Sequence, residues 1–131
     1  MKQITIVTKD RAGLAADIAA VLGENDINIE SLDAEEVVGM GVVTLTVDHY
    51  NRALHALRDA GWHAVTEDAF VIRVKDKPGA LARVAKRFKD AGIHVRSIRI
   101  IQHEGEWGMV AVSAEPIDEA RALVKDKLLL E

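Results

Sequence analysis

The stretch "DRAGLAADIAAVLGENDINIESL", residues 10–32, aligns without a gap with "DKPGALARVAKRFKDAGIHVRSI", residues 76–98. An internal repeat of this length indicates that the chain contains one structural unit twice. We therefore expect two domains, residues 1–66 and 67–131. Six positions of the repeat are identical: Asp10/Asp76, Gly13/Gly79, Ala16/Ala82, Ala19/Ala85, Ile27/Ile93 and Ser31/Ser97.

Each unit begins with a predicted strand and helix. The runs "QITIVT" (3–8) and "FVIRV" (70–74) alternate in hydrophobicity, which is typical of strands. Helices are predicted next, and turn residues at 25–26 and 91–92 end them. Their apolar residues fall on one stripe, formed by Leu14, Ile18, Val21 and Leu22 in the first unit and by Leu81, Val84, Ala85 and Phe88 in the second.

A hairpin, a second helix and a short last strand complete each predicted unit. The first hairpin joins strands 27–38 and 42–47 through "GMG", and the second joins strands 93–103 and 107–113 through "EGEW". The second helices are expected at 50–60 and at 117–125, where Pro116 starts the helix. The last strands are expected in "WHAV" (62–65) and "LLL" (128–130).

The order of these elements predicts an α+β fold with two tandem ferredoxin-like βαββαβ units. Two helices must cover one face of a four-stranded antiparallel sheet, because only then do both apolar stripes reach the apolar strand faces. The second strand of each unit lies at a sheet edge, and an exposed edge is a liability. We therefore expect the two sheets to be joined side by side through these strands.

Composition excludes several classes of protein. The chain has no cysteine, which excludes disulfides, thiolate metal sites and thiol catalysis. A net charge of −4 disfavours nucleic acid, and the N-terminal apolar run is too short for a signal peptide or a membrane span. We expect a cytoplasmic protein without membrane contact. Residues 1–66 carry five basic and ten acidic side chains, whereas residues 67–131 carry twelve and eleven.

The fold alone does not give the function, because the ferredoxin-like fold, also called a plait, occurs in proteins with many unrelated functions. An RNA-recognition domain would need aromatic residues on its central strands, and metal-carrying plaits place two cysteines in the first loop, where this chain has none. An acylphosphatase-like enzyme would need an arginine in an anion cradle, for which Arg11 is the one candidate. His103, Glu104 and Glu106 are better explained as an exposed polar hairpin than as metal ligands. No converging acid–base set suggests catalysis, so we expect no enzyme, cofactor or metal.

The segments "KDRAGLAADIAAVLGENDINIESL" and "KDKPGALARVAKRFKDAGIHVRSI" resemble the ACT domain. The shared pattern is a strand ending in Asp, two residues, Gly, a small or apolar helix start, and a second strand of the "x-I-N-I" type about a dozen residues later. The resemblance covers essentially the whole chain as a tandem pair. Within it, "DINIESL" (26–32) is similar to the regulatory subunits of acetohydroxyacid synthase.

This resemblance implies a regulatory module that binds a small amino acid where two ACT domains meet. A helix that starts at Gly13 or Gly79 offers free N–H groups to a carboxylate, and the preceding aspartate can face the ammonium group. The family's second contact, often an Asn, comes from the second strand of the neighbouring domain. The expected ligand-binding residues are Asp10, Ala12, Gly13, Leu14, Asn28 and Ile29 in the first unit and Asp76, Pro78, Gly79, Ala80, Leu81, His94 and Val95 in the second.

Two sites of unequal quality are expected. The loop at Asp76 would work with Asn28, whereas the loop at Asp10 would work with His94, where the family's Asn is missing. Apolar residues near both loops favour a small aliphatic amino acid. Alternatively, each aspartate is an ordinary N-cap and each glycine serves backbone geometry alone. The protein would then be a module that has lost its ligand and that docks on a partner metabolic enzyme. Under either hypothesis the resemblance implies a homodimer, because members of the family usually form oligomers.

Overall fold

The computed structural model describes residues 2–130. The chain separates into two compact units, Met1–Glu67 and Asp68–Glu131. Each unit has its own sheet, its own helices and its own hydrophobic core. No helix within residues 2–130 combines the length and the apolar composition needed to cross a membrane.

The first unit has the expected βαββαβ order. Its sheet is antiparallel with the strand order β2-β3-β1-β4, so that β2 and β4 are the edges. Strands β3 and β1 therefore form the centre of the sheet, and β2 and the short last strand β4 flank them, as in a ferredoxin-like plait. The elements are β1 (Ile4–Lys9), α1 (Leu14–Glu24), β2 (Ile29–Val37), β3 (Met40–Val47), α2 (Tyr50–Asp59) and β4 (Ala64–Val65).

The second unit repeats this order but has no complete fourth strand. Its sheet has three strands in the order β5-β7-β6. The prediction of a strand at 128–130 is wrong, since these residues form only one bridge, between Leu128 and Ile72. A 3₁₀ turn at Lys125–Lys127 occupies the residues that would lead into such a strand. The elements are β5 (Phe70–Lys75), α3 (Ala80–Asp90), β6 (His94–Glu104), β7 (Trp107–Glu115) and α4 (Ile117–Leu123).

The predicted apolar stripes form the cores of both units. In the first unit Leu14, Ile18 and Leu22 of α1 are buried against the sheet. In the second unit Val84 and Phe88 of α3 are buried in the same way. Burial of a side chain of this size contributes about 1.5–3 kcal/mol, so these stripes fix each helix pair to one sheet face. The α+β fold class predicted from the sequence is confirmed.

The first hairpin turn begins one residue before the expected segment "GMG", whereas the second lies within the expected segment "EGEW". The first turn consists of Val38 and Gly39, because Met40 and Gly41 are already part of β3. Both turn residues have positive φ, at 48° and 82°, which matches the twist of a two-residue hairpin. The second turn consists of Gly105 and Glu106, since Trp107 already pairs with Glu104.

Candidate functional site

Helix α1 begins at a glycine and has no side-chain cap. Gly13 precedes the helix with φ 82° and ψ 2°, in the left-handed region that glycine adopts without strain. No side chain caps this end of the helix, so Asp10, three residues earlier, is not an N-cap. Since the first N–H groups of an α-helix have no partner within the helix, the amides of the first turn remain available for an anion.

A cavity of about 330 Å³ lies against this helix start. That volume is at the lower end of the range of small-ligand pockets. The cavity brings together three residues expected from the sequence, Asp10, Gly13 and Leu14, and Ala12 lies in the same loop. The remaining wall is formed by Arg11, Ala15 and three residues of β2 that sequence reasoning missed, Ala34, Glu35 and Glu36.

Strand β3 approaches the loop so closely that only glycine fits at residue 41. A Cβ atom at Gly41 would lie 2.6 Å from Leu14 Cδ2, 3.2 Å from Asp10 Oδ1 and 3.3 Å from the Cα of Asp10. Leu14 is itself in the core, with 4% of its surface exposed. The position of Asp10 is therefore set by direct packing on the sheet. A glycine inside a strand pattern can signal such a close approach.

The charges around the first cavity are mainly negative. Asp10, Glu35 and Glu36 line it together with one cation, Arg11. That guanidinium is bound by Asp17, with Arg11 Nη1 and Asp17 Oδ2 separated by 2.6 Å. Within residues 2–130, no side chain forms a hydrogen bond or an ion pair with the carboxylate of Asp10, which leaves it free to meet a cationic group.

The start of β2 is held by a carboxylate of its own unit. Asn28 donates its backbone N–H to Asp48 Oδ1 at 3.0 Å and its amide Nδ2–H to Asp48 Oδ2 at 3.1 Å. A hydrogen bond from His49 is the main cause that lowers the pKa of Asp48; burial raises it, and the two bonds from Asn28 lower it further. Ile29 packs, partly buried, against the core. The amide of Asn28 therefore already has one partner.

The second loop has the same backbone but a different carboxylate environment. Gly79 starts α3 with φ 86° and ψ −9°, again without a side-chain cap. The carboxylate of Asp76 is engaged, because its Oδ2 lies 2.9 Å from Nδ1 of His103 on β6. The N–H of Ala80 also donates to the carbonyl of Lys77 at 3.2 Å. One helix amide and the aspartate thus have partners here, unlike their counterparts in the first unit.

The other residues expected in the second unit do not form a single group with this loop. Pro78 is exposed in the loop, whereas Leu81 and Val95 pack against the core. His94 is exposed at the start of β6, opposite Glu115 of β7. A hydrogen bond from Arg96 lowers the pKa of Glu115.

A second cavity, of about 270 Å³, lies in the second unit and is strongly basic. Ala80 is the one expected ligand residue that lines it. The cationic side chains were not recognised from the sequence, because they come from the end of β5, the following loop, two turns of α3 and a distant 3₁₀ turn. These cations are Lys75, Lys77, Arg83, Arg87 and Lys127.

Residues 2–130 contain no group of three or more His, Asp or Glu side chains placed to hold a metal ion. His103 and Glu106, adjacent in the second hairpin, instead bind Asp76 and Lys75 respectively.

The sequence model of the ACT domain pair matches residues 1–129. The chain therefore belongs to the ACT domain pair family. This agrees with the resemblance of both repeats and with the two βαββαβ units. A search among curated proteins finds no match.

Solved structures with a similar chain include three from bacteria. A protein from Bacteroides thetaiotaomicron is 22% identical with a TM-score of 0.47, covering 95% of this chain and 86% of its own. The ligand-free regulatory subunit of aspartate kinase from Thermus thermophilus is 20% identical with a TM-score of 0.44, covering 96% and 91%. The small subunit of acetolactate synthase from Thermotoga maritima is 12% identical with a TM-score of 0.41, covering 97% and 88%.

Proposed function

We propose that this ACT domain pair is a non-catalytic sensor that binds a small amino acid. The observation that carries the proposal is the junction of β1 and α1, where uncapped helix amides and the free carboxylate of Asp10 border one cavity. The amides and the helix dipole suit a carboxylate. Asp10, with Glu36 on the opposite wall, suits an ammonium group. The two ends of a zwitterion are therefore matched by groups of opposite polarity.

The wall of this cavity favours a short aliphatic side chain. Leu14, Ala15 and Ala34 supply its apolar part, and the volume of about 330 Å³ leaves little room for a large ring. Ala12 and Gly13 contribute backbone to the same loop. Following the family, Asn28, Ile29, His94 and Val95 would supply contacts from a neighbouring ACT domain.

The sequence favours the second loop, which would work with Asn28, but its engaged carboxylate leads us to propose it as the weaker amino-acid site. Asp76 would have to exchange His103 for the ligand's ammonium group, and one amide of the helix start is already bonded. Gly79, Ala80 and Leu81 would still present the loop backbone, with Pro78 fixing one dihedral.

A sensor without catalytic activity acts by associating with another protein chain. The edges of the sheets support association with a second copy, as a homodimer, or with a metabolic enzyme. Among the described residues, β2 and β6 each pair with one strand only, so each presents free backbone groups. The edge β2 exposes Glu30, Asp33, Glu35 and Glu36, whereas β6 exposes His94, Arg96, Arg99 and His103. Opposite charges on two edges favour pairing with a second copy. Sedimentation at low and high salt tests this, since a charge-driven dimer would weaken as salt rises.

Thermal unfolding in the presence of each of the twenty amino acids tests ligand binding. A ligand at about 100 times its dissociation constant stabilises by about 2.7 kcal/mol, which shifts Tm by several degrees. We expect a shift for one chemical group of amino acids, reduced in Asp10→Asn and retained in Asp59→Asn, an exposed carboxylate on α2. A flat panel, confirmed by calorimetry, would reject the sensor and favour a module that docks on its partner without a ligand.

A further inference from the structure

We propose that the second unit binds a small phosphate-bearing molecule in the basic cavity between β5, α3 and the 3₁₀ turn. The cavity has a volume of about 270 Å³, and among residues 2–130 its lining contains five cationic side chains and no acidic one. This ligand is separate from the amino acid proposed above, whose stronger site requires Asp10 in the other unit.

Comparison of the two repeats shows how this site is built. In the first unit Arg11 and Asp17 form an ion pair at 2.6 Å. The gap-free register of the repeat places Lys77 and Arg83 at these positions, and both line the cavity. An attractive pair is thus replaced by two like charges, which repel each other unless an anion lies between them.

The same comparison shows why the cavity is open. Strand register makes Ala64 and Leu128 equivalent, because they pair with Ile6 and Ile72 respectively. Two residues earlier lie Trp62 in the first unit and Asp126 in the second. Trp62 packs against the core, and the centre of its ring lies 6.0 Å from Cζ of Arg11 in the same unit. Asp126 provides no such ring and instead binds Arg87, with Nη1 and Oδ1 2.9 Å apart.

Two of the five cations already have an acidic partner, so three positive charges remain for a ligand to neutralise. Arg87 is bound by Asp126, and Lys75 by Glu106 at 3.3 Å. Within residues 2–130, the side chains of Lys77, Arg83 and Lys127 form no hydrogen bond and no ion pair. Three uncompensated cations suit a group of charge about −2, as a phosphate monoester carries at neutral pH. A net-neutral amino acid would leave them uncompensated.

The geometry also favours phosphate over a flat aromatic ligand. The guanidinium of Arg83 lies beside the loop, with Nη1 3.3 Å from the place of a Cβ atom at Gly79. Arginine binds phosphate oxygens through its planar fork. Trp107 lines the cavity, but Arg73 and Lys75 lie 3.8 and 4.8 Å from the centre of its ring. The ring is thus already engaged by cations, which disfavours stacking of a base.

Isothermal titration with inorganic phosphate and pyrophosphate, at constant ionic strength set with sodium chloride, tests the proposal on the full chain. We expect saturable binding with a rise in Tm. In Arg83→Asp, which recreates with Lys77 the charge pattern of Arg11 and Asp17, Kd should rise about tenfold to a hundredfold. Lys89→Asp, on the same helix but outside the cavity, has the same charge change and should bind as the unmodified chain does. Lys127→Ala provides a second variant on an independent element, and its Kd should also rise.

The outcomes separate this site from the amino-acid site. Absence of binding, or equal weakening in Arg83→Asp and Lys89→Asp, would overturn the proposal. Equal affinity for succinate would overturn the assignment to phosphate. The amino-acid response should be unchanged in Arg83→Asp and reduced in Asp10→Asn, whereas phosphate binding should be weakened in Arg83→Asp and unchanged in Asp10→Asn. Either proposal can therefore fail without the other.

Discussion

The imidazole of His103 lies 2.9 Å from the carboxylate of Asp76. In the first unit, the residue at the position that matches His103 is Glu36. The match follows from strand register, since His103 pairs with Gly108 and Glu36 pairs with Gly41. One residue type thus determines whether the aspartate before each helix is occupied. The same loop backbone carries an engaged aspartate in one unit and a free one in the other.

Replacing Glu36 by histidine should make the first loop resemble the second. In Glu36→His the new imidazole can bind Asp10, which would compete with the ammonium group of an amino acid. We expect the amino-acid-induced rise in Tm to fall, while the stability without ligand changes by less than about 1 kcal/mol, as for an exposed pair. Asp33→His, on the same strand but outside the cavity, is the control. An unchanged response in Glu36→His would contradict this role of Asp10.

Gly41 should tolerate no side chain, although its counterpart does. Gly41→Ala places a Cβ atom 2.6 Å from Leu14 Cδ2, so the core or the loop must shift, at a cost of about 1–3 kcal/mol. In Gly108→Ala the nearest atom is the carbonyl oxygen of Val74 at 3.9 Å. That variant should be neutral or more stable by up to about 1 kcal/mol, because alanine restricts the unfolded chain. Urea unfolding of both variants measures the difference, and equal midpoints would refute it.

Val38 is a site where stability can be gained. Its φ of 48° lies in the left-handed region, which costs L-residues about 1–2 kcal/mol and is rare for β-branched ones. Asparagine followed by glycine is a preferred pair in such a hairpin turn. Val38→Asn should therefore raise Tm by a few degrees. Val37→Asn, one residue earlier within β2, should not. A Tm at or below that of the unmodified chain would show that the turn relaxes around valine.

The stability of the first unit should fall in acid partly through Asp48. Its pKa in the folded state is lowered from 3.8 by the hydrogen bond from His49 and those from Asn28. The ionised group therefore contributes stability above pH 3.8, and the contribution is lost as pH falls through the lower folded-state pKa. In Asp48→Asn the urea midpoint should decrease less between pH 6 and pH 3. Asp33→Asn, on β2, should keep the full decrease. Parallel curves for Asp48→Asn and the unmodified chain would rule out this contribution.

Sequence periodicity predicted most of the fold because both cores depend on repeated apolar spacing. The stripes of α1 and α3 were correct, and so was the βαββαβ order of the first unit. The last strand of the second unit was not, because "LLL" is apolar without alternation and hydrophobicity alone does not show that a 3₁₀ turn precedes it. The turn at Val38 was misplaced because a β-branched residue with positive φ contradicts turn propensities.

The candidate sites were only partly predictable, for a different reason. The aspartate and glycine of each loop are close in sequence and repeat in register. The residues that distinguish the two loops are Glu36 and His103. They lie on strands whose register is known only from the fold. Arg83 and Lys127 likewise meet through tertiary structure. The exchange of Arg11 and Asp17 for Lys77 and Arg83 can be read from the alignment, but its meaning depends on the cavity beside it.

This exchange also bears on how a duplicated domain can diversify. The glycines that start the helices and the buried isoleucines at 27 and 93 are the same in both units, whereas Lys77 and Arg83 are exposed. Of the two exchanges, only that of Asp17 for Arg83 changes the sign of a side chain at the junction, and the left-handed glycine before the helix is the same in both units. Selection for a new ligand can therefore act on one copy while the other keeps its original role, with little penalty in foldability.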